Sequence, residues 1–343
     1  MRYSKLFVFI AAILMLQTIA LAQSVSRVGT TAAPFLKIGV GARALAMGEA
    51  FVTQANDVSA LYWNPAGLGV MPRNQFIFNH YEYIADLSFD FAGVAVKLPF
   101  IGTVGFQFTH LGAPDIERTT LLEQDGTGEL VSASFYTFGL SYGRSLTDRF
   151  SMGGTVKFIK ENLWHSHAGG MSLDIGVLYT TIFKNIKIGM SISNFGTSMK
   201  MSGRDLLVQH DIDPTIAGNN ETINANLSTD EFPLPILFRV GISTNLARDF
   251  FEIDHHDLTI AVDAIHPNDN REYLNVGTEY KFKDFLALRG GYRQLFLADA
   301  EGGLAMGFGL HFNITQFELN LDYAAIDYGR FDYVNKFSLI FSF

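Results

Sequence analysis

From residue 74 onward, apolar and polar positions alternate with a period of two. In 316–323, Phe317, Leu319, Leu321 and Tyr323 fall on one face, and Gln316, Glu318, Asn320 and Asp322 on the other. Segments 171–179, 238–245 and 274–282 alternate in the same way. Each reads as a strand with one apolar face and one polar face carrying charges and glycines. The pattern predicts fourteen strands, at 74–83, 87–98, 102–111, 133–144, 150–162, 170–182, 186–196, 234–246, 257–266, 272–282, 285–295, 303–312, 316–326 and 334–343.

Alternation alone fits a soluble sandwich as well as a barrel. Three features select an all-β, transmembrane antiparallel barrel. Many strands reach about ten residues, the length a tilted membrane strand needs, whereas soluble strands usually have five or six. Tyr81, Tyr142, Tyr179, Tyr280, Tyr292 and Tyr328 recur near strand ends, as interfacial aromatic girdles do. Connections also alternate: one side has tight turns such as 99–101, 183–185 and 313–315, and the other has long loops at 112–132 and 197–232. An even-stranded closed sheet leaves no unpaired backbone edge in lipid. At the C-terminus, Phe337, Leu339, Phe341 and Phe343 alternate to an aromatic last residue. That quartet resembles the terminal signal by which bacterial outer-membrane barrels are recognised for assembly.

The N-terminal part does not alternate. Residues 1–22 read as a secretory signal peptide, with Arg2 and Lys5, an apolar run from Leu6 to Leu16, and Ala20-Leu21-Ala22 before the cleavage site. Eleven apolar residues are too few to cross a bilayer as a helix, and no run of about 18 follows. Residues 23–73 read as a separate helical plug ahead of a barrel at 74–343. Asn64 before Pro65 has the form of an N-cap followed by proline at the first helical position. Gly67 and Gly69 permit close packing or a positive φ.

Within about residues 35–70 the sequence resembles a known family. A glycine-rich Gly41–Ala44 segment leads to Met47–Gly48, then Ala50–Val52, Asp57 and a Tyr62–Leu68 element reading YWNPAGL. This set resembles the PorV/PorQ family of outer-membrane proteins, within the wider FadL-like group of fourteen-stranded barrels. Glu49 departs from the pattern, standing where a small residue, often glycine, is usual. The resemblance implies a bacterial outer-membrane location and a role in type IX secretion. It also implies a structural or gating plug carried by Gly41, Arg43, Met47, Gly48, Asp57, Trp63, Asn64, Pro65, Ala66 and Gly67.

Composition narrows the chemistry. The chain of 343 residues has no cysteine, is 17% charged and carries a formal net charge of -9. These values exclude disulfides and thiolate metal sites, and make a nucleic-acid footprint an unsuitable reading. No nucleophile elbow, zincin or phosphate-loop motif occurs, so no catalytic residue, cofactor or metal is expected. His165-x-His167 and His255-His256 lack a spaced carboxylate to complete a metal site. Lys157, Asp174, Arg239, Asp263, Glu279, Glu318 and Asp322 place charges of both signs on the polar face, which suits pairing across the interior better than a selective pore. The two long loops hold most of the negative charge. They are a candidate surface for secretion-system proteins or secreted cargo, beside the lipid that surrounds the wall.

Two functions of different class follow. The first is a non-enzymatic accessory or cargo-binding barrel of type IX secretion. The alternative is a FadL-like transporter of hydrophobic small molecules, with Phe51, Trp63 and Phe76 lining an apolar pocket. A general porin ranks third and an enzyme last.

Overall fold

The computed structural model describes residues 27–343 except 214, 216–221, 252, 254, 255, 284, 299 and 315; the signal peptide lies outside the described residues. Fourteen long strands form the wall: β1 Gln75–Glu82, β2 Ser88–Leu98, β3 Gly102–Gly112, β4 Ala133–Thr147, β5 Phe150–Leu163, β6 Ser166–Thr180 and β7 Lys187–Gly196, then β8 Leu237–Asn245, β9 His256–Pro267, β10 Tyr273–Phe282, β11 Leu286–Leu295, β12 Leu304–Ile314, β13 Phe317–Asp327 and β14 Tyr333–Ser342. Each pairs antiparallel with its sequence neighbours. The ring closes where β1 meets β14, in the register Gln75↔Ser342 to His80↔Phe337. Every backbone edge of the wall is thereby paired, as lipid demands.

The strands lie where the alternation puts them, with one notable exception. β6 begins at Ser166 rather than 170, because Ser166–Gly169 continue the β5–β6 ladder, with Gly169 opposite Lys160 and Ser166 opposite Leu163. Two bulges re-aim side chains inward. Asn194 in β7 and Gln294 in β11 take left-handed φ values of 64° and 58°, next to register shifts in the β6–β7 and β10–β11 pairs.

Outward positions are apolar, as in Phe76, Phe106, Phe138, Phe158, Ile242 and Leu288, which are all exposed. In a bilayer this surface meets lipid. Inward positions divide by height. Toward the long-loop ends they are mostly apolar, with Tyr81, Phe89, Leu111, Ile159 and Ile326 buried. Toward the middle they are charged, with Lys157, Asp174, Arg239, Asp263, Glu279, Arg289 and Asp322 all buried. Barrels of this kind keep short turns on the periplasmic side and long loops outside.

Candidate functional site

The N-terminal segment fills the lumen. It begins at the long-loop face, where the Ala32 N–H donates to the Pro233 carbonyl at 2.9 Å. Thr31 and Lys37 both donate to Asp269 Oδ2 on the β9–β10 loop, at 3.1 and 2.5 Å. The chain then descends. Gly41 takes a φ of 81° to turn it into helix α1, Ala42–Ala46. The Ala42 N–H at the first turn of α1 donates to Ser338 Oγ of β14 at 3.1 Å.

Arg43 on α1 carries the principal link to the wall. Its Nε and Nη2 grip the two oxygens of Glu279 (β10) at 2.9 and 3.0 Å. Its Nη1 donates to Asp57 at 2.7 Å and to Asn56 at 2.8 Å within the plug. Glu279 also accepts from Arg289 Nε at 2.7 Å, and Arg289 Nη1 donates to Asp322 at 2.6 Å. The side chains of Glu279, Arg289 and Asp322 are 2%, 0% and 2% exposed. Bidentate, charge-assisted bonds in so dry a place are strong, and removing one partner leaves a buried charge uncompensated. Asp263 of β9 makes a second link: its Oδ2 accepts from the successive backbone N–H groups of Phe51 and Val52 at 2.7 and 2.8 Å.

Glycines on the wall receive the plug backbone. A Cβ on Gly277 would lie 2.2 Å from the Met47 carbonyl oxygen, and one on Gly153 would lie 2.3 Å from that of Pro65. No side chain fits either place. The glycines that punctuate the polar face of the strands are therefore seats, a role that alternation alone does not disclose.

The second half of the plug is tied mainly by its own motif. In α2, Ala60–Trp63, the Trp63 indole donates to the Val40 carbonyl at 2.8 Å and meets Phe51 edge to face. Asn64 Oδ1 accepts from the Ala66 N–H at 3.1 Å, capping the 3-10 turn Pro65–Val70. Its Nδ2 donates to the carbonyls of Val52 and, on β6, Val177. Gly67 presses against Ala55, whose carbonyl oxygen would stand 1.6 Å from a Cβ there. Gly48 lies against Tyr292 of β11. At Glu49, the departure from the family pattern, φ is 63°, a conformation that glycine adopts freely and glutamate does not. Its carboxylate lies 3.4 Å from Arg293.

The ten plug residues singled out in the sequence thus form one buried unit. The C-terminal quartet is elsewhere: Phe337, Leu339, Phe341 and Phe343 lie on the outward face of the wall, with Phe341 stacked on Phe317 and Phe343. Phe51 and Trp63 are buried in the plug core, but Phe76 points away from the lumen and is 40% exposed. It cannot line an internal pocket, because odd positions of β1 face inward and even ones outward. Sequence reading placed Glu279, Asp263 and Asp322 in the lumen but did not connect them to the plug. It missed Arg289, Arg293 and Lys336. Lys336 is 1% exposed, with Nζ 4.2 Å from the Tyr81 ring centroid and 3.2 Å from the Tyr328 hydroxyl.

At the outer rim the two long loops are joined through the short β5–β6 turn. Arg118 lies over Trp164 at 5.5 Å and pairs with Glu129. Trp164 stacks on His165, whose Nδ1 is 2.9 Å from Asp205. His167 is near Ser202, and His255 lies outside the described residues. Leu121 and Leu122 of the first long loop are 93% and 97% exposed.

A fourteen-stranded wall with a lipid-facing apolar surface, closed on itself and stoppered by its own N-terminal segment, defines a plugged outer-membrane β-barrel. The family profile described as "Type IX secretion system protein PorV" matches residues 21–215, more than half of the chain. The chain belongs to the PorV family. No curated protein matches it. Among solved structures it is similar to the CymD monoaromatic hydrocarbon channel, with a TM-score of 0.54 and 12% identity over 89% of this chain and 98% of that one. It is likewise similar to the Pseudomonas putida toluene transporter TodX, with a TM-score of 0.51 and 14% identity over 89% and 97%. At these identities the likeness concerns the fold.

Proposed function

We propose that this protein serves type IX secretion as a stoppered scaffold, which binds secretion-system proteins or secreted cargo through its outer loops and catalyses no reaction. One observation carries the reading: the plug is held in the wall by the buried Arg43–Glu279–Arg289–Asp322 chain. A conduit whose stopper must leave would have to break these bonds in a dry interior. The loop layer, in contrast, is exposed, acidic and crowned by two bare leucines, the form of a recognition surface on a rigid base.

A second reading is transport of hydrophobic small molecules across the outer membrane, and the solved folds weigh on its side. CymD and TodX, which share this architecture, are named as a hydrocarbon channel and a toluene transporter. One experiment separates the two. The tagged protein and its Leu121→Ser/Leu122→Ser variant are captured from native outer membranes in mild detergent, and co-purifying proteins and lipids are identified by mass spectrometry. The scaffold reading expects secretion-system or secreted proteins with the wild type and a marked loss with the variant. Both forms arriving alone, carrying apolar ligands, would replace it with the transporter reading.

A further inference from the structure

Beneath the plug, at the short-turn end, the lumen keeps a cavity of about 320 Å³. Four cationic side chains border it, Arg43, Lys187, Arg248 and Lys281, against three acidic ones, Asp249, Asp257 and Glu279. In a chain of formal net charge -9, this balance is unexpected. The acids are already engaged. Glu279 takes Arg43 and Arg289, with Lys281 at 3.5 Å. Asp257 accepts from Asn245 at 2.8 Å, with Arg248 at 3.4 Å. Asp249 accepts from Asn185 at 3.1 Å.

The ammonium of Lys187, the first residue of β7, makes no ion pair or hydrogen bond among the described residues. It shares the cavity with Arg43, Arg248, Lys281 and the three acids. An ammonium group removed from water among like charges is costly unless an anion joins it. Among the described residues no carboxylate forms an ion pair with it, and the plug closes the route from above.

We infer that this chamber is a binding site for an oxyanion, a carboxylate or phosphate group that enters from the periplasmic side and pairs with Lys187. Polar donors line the remainder, including Asn56, Asn185 and Thr180. The inference concerns the end of the barrel opposite the loops and stands apart from the scaffold reading.

The test is calorimetric titration of the purified full-length protein at low salt with inorganic phosphate, acetate and octanoate. Saturable one-to-one binding of at least one probe is expected, weakened about tenfold or more by Lys187→Gln and retained by Lys187→Arg. Because the Lys187 ammonium has no bonded counter-ion among the described residues, Lys187→Gln should also raise the thermal midpoint of the unliganded protein, which loss of a merely structural lysine would not do. Lys200→Gln, in an outer loop, should leave binding unchanged. Octanoate binding well above acetate would identify an amphipathic acid as the source of the anion, whereas phosphate or acetate binding as well as octanoate would identify a free oxyanion. No saturable binding of any probe, or equal binding by Lys187→Gln, would overturn the inference.

Discussion

The plug and the outer loop layer are the two parts of this chain that escape strand alternation, and they are built in opposite ways. The plug runs through Val40, Met47, Phe51, Leu61 and Leu68, each 1% exposed or less, and spends its polar groups on fixed partners in the wall. The loops turn Leu121, Leu122, Ile116 and Leu207 outward and are held by short two-stranded ladders, a few stacked rings and surface ion pairs. The contrast shows where specificity resides. Buried polar links and glycine seats admit one arrangement of the stopper, while an exposed layer on a rigid rim can change its surface without disturbing the fold.

The sharpest way to break the contrast is to fill a seat. Gly277→Val should drive side-chain atoms into the Met47 carbonyl and destabilise the folded barrel by about 3 kcal/mol or more, beyond ordinary overpacking because the obstruction is backbone. The loss would be read as reduced heat-resistant compact migration on a denaturing gel. Arg43→Met should destabilise by about 3 kcal/mol, the low end for a broken buried pair because Glu279 keeps Arg289; chemical unfolding in detergent measures it. Asp263→Ala should cost about 2 kcal/mol by leaving the Phe51 and Val52 N–H groups unsatisfied, in the same assay. Leu121→Ser/Leu122→Ser should change stability by no more than about 0.5 kcal/mol.

The smallest perturbation sharpens the orientation of the two regions. The chain contains no cysteine, so a single introduced thiol reports alone. Gly29→Cys, where the plug emerges among the long loops, should react with a membrane-impermeant maleimide on whole cells. Asn185→Cys in the β6–β7 turn should react only after the cells are opened. The reverse pattern would invert the barrel.

Much of the wall was legible because lipid outside and a polar lumen inside impose alternation on each strand, as in Phe317–Asp327. The start of β6 is less legible, because Gly169 and Gly170 carry no side chain to continue the pattern back to Ser166. The socket was less legible. Gly153 and Gly277 stood visibly on the polar face, yet a glycine there reads as tolerated emptiness until the Pro65 and Met47 carbonyls occupy it. Arg43 and Glu279 are 236 residues apart, and no local period links them. Phe76 was misassigned because an aromatic residue close to the plug in sequence says nothing of which side of β1 it occupies.

The central claim is that the lumen is shut by a plug locked into the wall. Conductance of the purified protein in planar bilayers tests it most directly, with Arg43→Met measured beside the wild type. The account predicts no stepwise ion current from the wild type and intermittent openings from the variant. Steady wild-type conductance, unchanged in Arg43→Met, would contradict it.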